Sequence, residues 1–251
     1  MRNQNLSEKT IAEHSRNLIK FQNFGGLLNW TQDKTITFIR DHYAEGSSQK
    51  SITSTLSKYR HYRGKSTDII REFLQQANNE ASLLQQKKNE KLKSNLPDID
   101  FKQMLSKYYR DKDYKNFVIL YLLLNYNTRN KDLVVKVVKD EKDLNKDENF
   151  LWIRDKDVVY IRNDYKTKER YGGKRDVIKA KKFFNAVQDV QSLLVNNSNL
   201  DRQVKEVTGG INQSTMFKIM ISNNNNLKSI AKASKARGTN METIAKSYDI
   251  T

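Results

Sequence analysis

The amino-acid sequence predicts a mainly helical α+β protein of two basic domains, the second of which carries a small antiparallel sheet. Three observations lead to this prediction. Apolar residues recur at helical spacing along most of the chain, β-rich runs are confined to residues 150–178, and the single proline, Pro97, ends a charged and polar stretch. We therefore place a helical domain at residues 1–87, a linker at 88–98 and a second domain at 99–251.

Four amphipathic helices are expected in the first domain. They combine apolar residues at helical spacing with start or stop signals, such as Ser7 before the first helix and Gly46 after the second. The fourth has an apolar stripe, from Ile70 to Leu84, that is wide enough to close a small bundle. The predicted helices cover residues 6–21, 32–44, the stretch from 47 to 63, and the stretch from about 67 to 84.

The third of these helices has a basic outer face. Its apolar residues Ile52, Leu56 and Tyr59 are expected to turn inward, which leaves the intervening basic side chains to face outward. Because DNA presents a regular row of phosphates, we expect this face to bind phosphate. Its basic residues are Lys50, Lys58, Arg60 and Arg63.

The second domain is predicted to combine a buried helix with a small sheet. The run Tyr114–Tyr126 is so apolar that we expect a helix buried on most sides. Short β-rich runs separated by turn residues predict a sheet of three antiparallel strands. The strands are expected at residues 150–153, 158–162 and 175–178, and further helices at 99–109, 180–194 and from 214 onward.

The net charge indicates the kind of partner. The 251 residues carry a formal charge of +17, with sixteen basic against nine acidic residues up to Asn95 and thirty against twenty after it. Charge spread over both domains favours a polyanion that both domains contact, as a clamp around duplex DNA would. The alternative interpretation is a lysine-rich solvated surface encoded by an AT-rich genome.

Several classes of protein are excluded or disfavoured. The chain has no cysteine, which excludes disulfides and thiolate metal sites and favours an intracellular protein. Its longest apolar stretch, Phe117–Leu124, is far shorter than the roughly 20 residues that span a bilayer. We expect no membrane partner.

Three short motifs lie in the second domain. Tyr126–Leu133, with the sequence Y-N-T-R-N-K-D-L, directly follows the predicted buried helix. Lys166 precedes the Gly172-Gly173 turn of the predicted hairpin, and Thr239, preceded by a glycine, lies nine residues before Tyr248. The order of helical domain, linker, buried helix, small sheet and late tyrosine resembles that of the tyrosine recombinases and integrases.

This resemblance implies a catalytic role for each motif. In that family a box of the form T-G-L-R-x-x-E-L supplies an arginine that grips the scissile phosphate, and Arg129 takes this place. A hairpin lysine protonates the leaving 5′ oxygen, which implies Lys166, and a tyrosine attacks phosphorus, which implies Tyr248. The family's second phosphate-binding arginine and its later histidine correspond to Lys218 and Thr239.

The chain departs from the family pattern at several positions. Asn127 replaces the glycine of the arginine box, and we expect it to adopt the left-handed conformation that Asn tolerates. The family's H-x-x-R element is matched by Thr215–Lys218, so that a point charge replaces the fork of an arginine. All the histidines lie in the first domain, at His14, His42 and His61.

The resemblance also implies the partners. We expect duplex DNA and a homo-oligomer, a tetramer on paired DNA sites, with Arg162, Arg170 and Lys174 of the hairpin in contact with DNA. The resemblance implies no metal or nucleotide cofactor and no small-molecule substrate. The leading hypothesis is site-specific breakage and rejoining of DNA. One alternative is a catalytically degenerate recombinase that only binds DNA. Another is a type IB topoisomerase, against which the helical first domain argues.

Overall fold

The computed structural model of the chain describes residues 8–95, 99–165, 168–193, 199–223, 227–237, 239–242 and 244. Its contacts divide the chain into two compact units, residues 1–92 and 93–251. Both are mainly helical and a small sheet lies in the second, which confirms the expected α+β class. Within the described ranges, no helix is long and apolar enough to cross a bilayer.

The first unit is built from four helices, α1 to α4. Phe21, Ile39 and Ile70, which lie on three of them, are completely buried and pack in one apolar cluster. Aromatic rings add to this core, with Phe21 and Phe38 in edge-to-face contact at 5.3 Å. The helices run over Glu8–Asn23 (α1), Gln32–His42 (α2), Ser47–Tyr62 (α3) and Asp68–Ser94 (α4).

Much of the segment predicted as a linker is helical. The apolar stripe on which the prediction rests ends at Leu84, but α4 continues to Ser94. Its last two turns are almost wholly polar, and glutamine, lysine and glutamate are good helix formers even where little packing supports them. Residues 96–98, including Pro97, lie outside the described residues.

The second unit places its sheet among helices, as the sequence predicts. The helix predicted at Tyr114–Tyr126 has those bounds, and six of its apolar side chains are buried. The helices are Phe101–Arg110 (α5), Tyr114–Tyr126 (α6), Lys168–Tyr171 (α7), Lys181–Val187 (α8), Leu200–Val207 (α9), Gln213–Asn223 (α10) and Leu227–Arg237 (α11). The strands are Val135–Val138 (β1), Asn149–Ile153 (β2), Val158–Arg162 (β3) and Lys174–Ile178 (β4).

The sheet is mixed and has four strands, in the order β1-β2-β3-β4. The predicted antiparallel strands β2, β3 and β4 are present, but β1 is added parallel to β2, with Val135 opposite Asn149. The prediction of a purely antiparallel sheet of three strands was therefore wrong. A four-residue run such as Val135–Val138 is short for a periodicity signal, and parallel pairing leaves no turn signal next to it.

The helix predicted at 180–194 is shorter than expected, because α8 ends at Val187. Beyond it the chain extends along β1, where the Leu193 amide donates to the Val135 carbonyl at 3.1 Å and the Val137 amide donates to the Gln191 carbonyl at 3.0 Å. Hydrogen bonds to the open edge of the sheet thus replace the last turns of the helix.

Both faces of β3 are buried, which fixes the position of the hairpin. Val158 and Tyr160 pack in the main core with α6 and α8, whereas Val159 and Ile161 pack with Phe150 in a small cluster. The alternation follows from the period of two along a strand. The β3–β4 hairpin, whose far end carries the predicted hairpin residues, is therefore anchored to the core.

Candidate functional site

The backbone after α6 fixes the position of Arg129. Asn127 ends the helix in the left-handed conformation, with φ 48° and ψ 39°, which confirms the prediction made for it. The buried carbonyl of Thr128 accepts a hydrogen bond of 3.0 Å from Gln213 Nε2 of α10. The Arg129 amide donates to Asp132 Oδ2 at 3.1 Å, so the acidic residue of the box closes the turn that presents the arginine.

The Arg129 side chain reaches the predicted C-terminal box. One terminal nitrogen donates to the Arg237 carbonyl at 2.7 Å, and the other donates to Thr239 Oγ1 at 2.8 Å. Thr239 is held in turn by its own amide, which donates to the Ser234 carbonyl at 3.1 Å. Two of the predicted catalytic residues, 110 positions apart in the chain, are therefore in direct contact.

Two more cations meet the same end of α11. Lys174 Nζ donates to the Lys235 and Ala236 carbonyls, both at 2.8 Å, and a terminal nitrogen of Arg162 donates to the Ala236 carbonyl at 3.3 Å. The last carbonyls of a helix lack partners within the helix and carry partial negative charge, which explains the attraction. We call Arg129, Arg162 and Lys174 the cation cluster.

Arg162 lies inside the protein rather than on its surface. Its side chain is 2% exposed and a terminal nitrogen lies 2.6 Å from Asp176 Oδ2. The other terminal nitrogen lies 4.0 Å from Asp132 Oδ2. Burial raises the pKa of Asp132, while the Arg129 amide and the nearby arginines oppose the rise. Arg162 thus balances the buried carboxylate of Asp132 and the partly exposed one of Asp176, and a direct contact with DNA would require its exposure.

Lys174 has a pKa below the usual value for a lysine. Burial, together with the Arg162 charge, lowers the pKa of Lys174 to about 8. Its ammonium also lies 5.0 Å from the ring centroid of Tyr165 and 5.9 Å from that of Tyr171. A lysine with such a pKa can hold or release a proton near neutral pH.

Arg237 ends α11, and its side chain packs on α10, the helix that carries Lys218. The Arg237 guanidinium is stacked on Phe217, 3.8 Å from the ring centroid, and the residue is 3% exposed. Lys218 follows Phe217 in α10 and is half-buried. The Arg237 backbone therefore contributes a carbonyl to Arg129, while its side chain packs against the helix that carries Lys218.

Part of the predicted site falls outside the described residues. Lys166 and Tyr248 are both there, as is Gly238. Arg170 lies in α7, and its side chain is also outside the description.

The predicted phosphate-binding face of α3 is only partly free. Lys50 and Arg63 are exposed. Arg60, in contrast, donates to the Trp30 carbonyl at 2.8 Å and to the Ser66 carbonyl at 3.1 Å. Lys58 lies 3.2 Å from His14 Nε2, and burial together with the Lys58 charge lowers the pKa of that histidine. Lys58 thus joins α3 to α1, and Arg60 joins α3 to the segments that precede α2 and α4.

Sequence reasoning missed the role of Asp176, which could have been found from strand pairing. In the β3–β4 hairpin Arg162 is opposite Lys174, and Tyr160 is opposite Asp176. Residues two apart on a strand share a face, so Arg162 and Asp176 are diagonal neighbours. Predicting the contact between Arg162 and Asp176 would have required the register of the hairpin.

Comparison with family models, with curated proteins and with solved structures finds no match to this chain. In the part of the chain that the structure describes, no group of three or more His, Asp or Glu side chains could hold a metal ion.

Proposed function

We propose that this protein binds duplex DNA and cuts and rejoins its strands through a covalent 3′-phosphotyrosine on Tyr248, as a site-specific recombinase does. The observation that carries the proposal is the contact between Arg129 and Thr239, two residues that the resemblance to the tyrosine recombinases assigns to one site. An arginine fork beside a hydroxyl group suits a phosphodiester, because guanidinium and phosphate oxygens pair in a bidentate manner.

The roles of the residues follow from this chemistry. Arg129 uses one N–H of each terminal nitrogen within the protein, and a guanidinium has five donors, so it retains donors for phosphate oxygens. Lys218 would add charge at the developing pentacoordinate phosphorus, and Lys166 would protonate the leaving 5′ oxygen. Thr239 would orient the Arg129 fork.

The distribution of charge supports a DNA partner. The formal charge is +17, and basic residues exceed acidic ones in both halves of the chain. Two exposed basic residues, Lys50 on α3 and Arg63 at its C-terminal cap, offer additional phosphate contacts in the first unit. Such contacts supply most of the non-specific affinity for DNA and make it dependent on salt. The proposal includes a tetramer on paired sites, the arrangement that strand exchange between two duplexes requires.

A second candidate is a protein that binds DNA without cutting it. All the histidines lie in the first unit, at His14, His42 and His61, so the second unit has none to act as a general base or acid. Lysine also replaces the second arginine, at Lys218. Each missing charge-assisted contact to the transition state costs typically about 3 kcal/mol, or about a hundredfold in rate.

Covalent trapping tests the proposal. Wild type and Tyr248→Phe are incubated with a pool of nicked random duplexes, denatured, and assayed for protein-linked DNA. Tyr62→Phe is the matched control, because Tyr62 is an exposed tyrosine of the first unit. We expect an adduct with wild type and with Tyr62→Phe, and none with Tyr248→Phe.

Two results would decide against cleavage at Tyr248. An adduct that persists in Tyr248→Phe would show that another residue is the nucleophile. No adduct in any variant, even after Lys218→Arg and Thr239→His together, would favour the protein that only binds DNA. Salt-sensitive binding of duplex that tolerates Tyr248→Phe would then be its remaining activity.

A further inference from the structure

A cavity of about 720 Å³ lies in the second unit, lined by residues of α6, of the β3–β4 hairpin and of α11. Pockets for small molecules and cofactors occupy about 300–1,000 Å³, so this volume suits a ligand of nucleotide size. Lys174 and Ala236 line the cavity and also take part in the contacts at the end of α11. The cavity is therefore continuous with the cation cluster.

The charges that line the cavity indicate an anionic ligand. Five cationic residues contribute to the lining: Arg162, Lys174, Arg175, Lys232 and Lys235. The acidic residue of the lining, Asp176, is already bound to Arg162 at 2.6 Å. The field inside the cavity is therefore positive, and a phosphate group would be attracted to it.

Aromatic rings line the same cavity. Tyr121 is packed against Phe183 with 4.6 Å between ring centroids, and Tyr126 is edge-on to Tyr160 at 6.0 Å, so core contacts hold both rings. Tyr171, also in the lining, is 43% exposed. Fixed tyrosine rings beside cations are the usual platform for bases of single-stranded nucleic acid.

We propose that this cavity holds one unpaired nucleotide of a DNA strand, with its phosphate at Lys232, Lys235 and Arg175 and its base against the tyrosine rings. The inference deepens the proposed function, on which it rests, because strand exchange unpairs the nucleotides beside the cut. A lone phosphate would leave the rings without a role, and an apolar ligand would leave the cations without one.

Calorimetry on the full chain tests the inference. The probes are deoxyadenosine monophosphate, inorganic phosphate, a perfect duplex, and the same duplex with one extrahelical adenosine. The cavity variant is Lys232→Ala with Lys235→Ala, which removes two lysines three positions apart on α11. The matched control is Lys88→Ala with Lys91→Ala, the same change of charge at the same spacing on the exposed part of α4.

We expect wild type to bind the mononucleotide at least tenfold more tightly than phosphate, because stacking on a tyrosine contributes to the affinity for the nucleotide alone. The cavity variant should lose about tenfold in affinity for the mononucleotide and lose the preference for the extrahelical adenosine. The control variant should keep both. Tyr171→Ala, which removes an exposed ring, should lower the affinity for the mononucleotide and leave the affinity for phosphate unchanged.

Equal affinities for phosphate and mononucleotide would overturn the inference, as would equal losses in the two double variants. Its failure is distinguishable from failure of the proposed function. If the protein forms the covalent adduct but shows no preference for the unpaired nucleotide, the proposed function stands and the inference about the cavity fails. If it binds the nucleotide as expected but forms no adduct, the inference about the cavity stands and the proposed function fails.

Discussion

Replacing Arg162 by methionine tests whether a buried cation holds the second unit together. Methionine has a similar length but no charge, so the substitution removes the guanidinium while it fills much of the space. We expect the free energy of unfolding of this unit to fall by about 3–5 kcal/mol, the usual cost of breaking a buried ion pair from one side.

The surroundings of the side chain account for this magnitude. The guanidinium lies 2.6 Å from Asp176 and 4.0 Å from Asp132, and the Arg162 side chain is 2% exposed. Asp132 is 1% exposed and would stay buried without its nearest side-chain cation. The carbonyl of Ala236, which accepts at 3.3 Å, would lose a donor as well. These effects have the same sign, so they add to the loss.

Arg154 provides a matched control. Its Nε lies 2.6 Å from Asp157 Oδ1, the same separation as between Arg162 and Asp176, but the Arg154 side chain is 40% exposed whereas that of Arg162 is 2% exposed. Exposed ion pairs contribute about 0–1 kcal/mol, because water screens the charges. Arg154→Met should therefore cost at most about 1 kcal/mol, and the two variants differ mainly in burial.

The assay is urea unfolding followed by tryptophan fluorescence. The chain has two tryptophans, and a Trp30→Phe background leaves Trp152, on β2, as the reporter for the second unit. Midpoint and slope together give the free energy of unfolding. Equal losses in Arg162→Met and Arg154→Met would refute the reasoning, because burial would then not determine the cost.

Asn127 and Lys174 provide two further tests. Because Asn127 has a positive φ of 48°, Asn127→Gly should leave the urea midpoint nearly unchanged. Asn127→Ala should lower the free energy of unfolding by about 1–2 kcal/mol, because alanine disfavours the left-handed conformation. Equal midpoints for the two variants would contradict the role of the left-handed turn. Because the pKa of Lys174 is lowered to about 8, its positive charge is present below this pH and lost above it. DNA affinity measured by fluorescence anisotropy at fixed salt should therefore fall as pH rises through about 8, and Lys174→Arg, which stays charged, should abolish the fall. A fall that persists in Lys174→Arg would assign the titration to another group.

Local signals explain which parts of the fold could be predicted. The bounds of α6 and the antiparallel pairing of β2, β3 and β4 follow from apolar runs, turn residues and periods of two. The strand β1 and the pairing of residues 191–193 beside it depend on partners far away in the chain, and no local pattern specifies them. The last turns of α4 were missed for the opposite reason. Their residues are good helix formers, but they are polar and carry no apolar stripe that would have indicated a helix.

The site was predictable only where a motif fixed the spacing. Arg129 and Thr239 were assigned to one site from two boxes, and they are in contact. No local pattern indicates that Arg162 is buried, because a basic residue at a strand end is usually exposed. Its burial depends on Asp132 and Asp176, whose proximity requires the register of the hairpin and the turn after α6.

The end of α11 and an anion at the cation cluster would be attracted by the same positive charges, those of Arg129 and Lys174. By thermodynamic linkage, an anion that partly neutralises these charges would weaken their attraction for the helix end by the same free energy that the helix end subtracts from the anion's affinity. Gly238 follows α11 directly, and Tyr248 lies ten residues beyond it. Binding of the target phosphate would thus be energetically coupled to the anchoring of the helix end that precedes the proposed nucleophile in the chain.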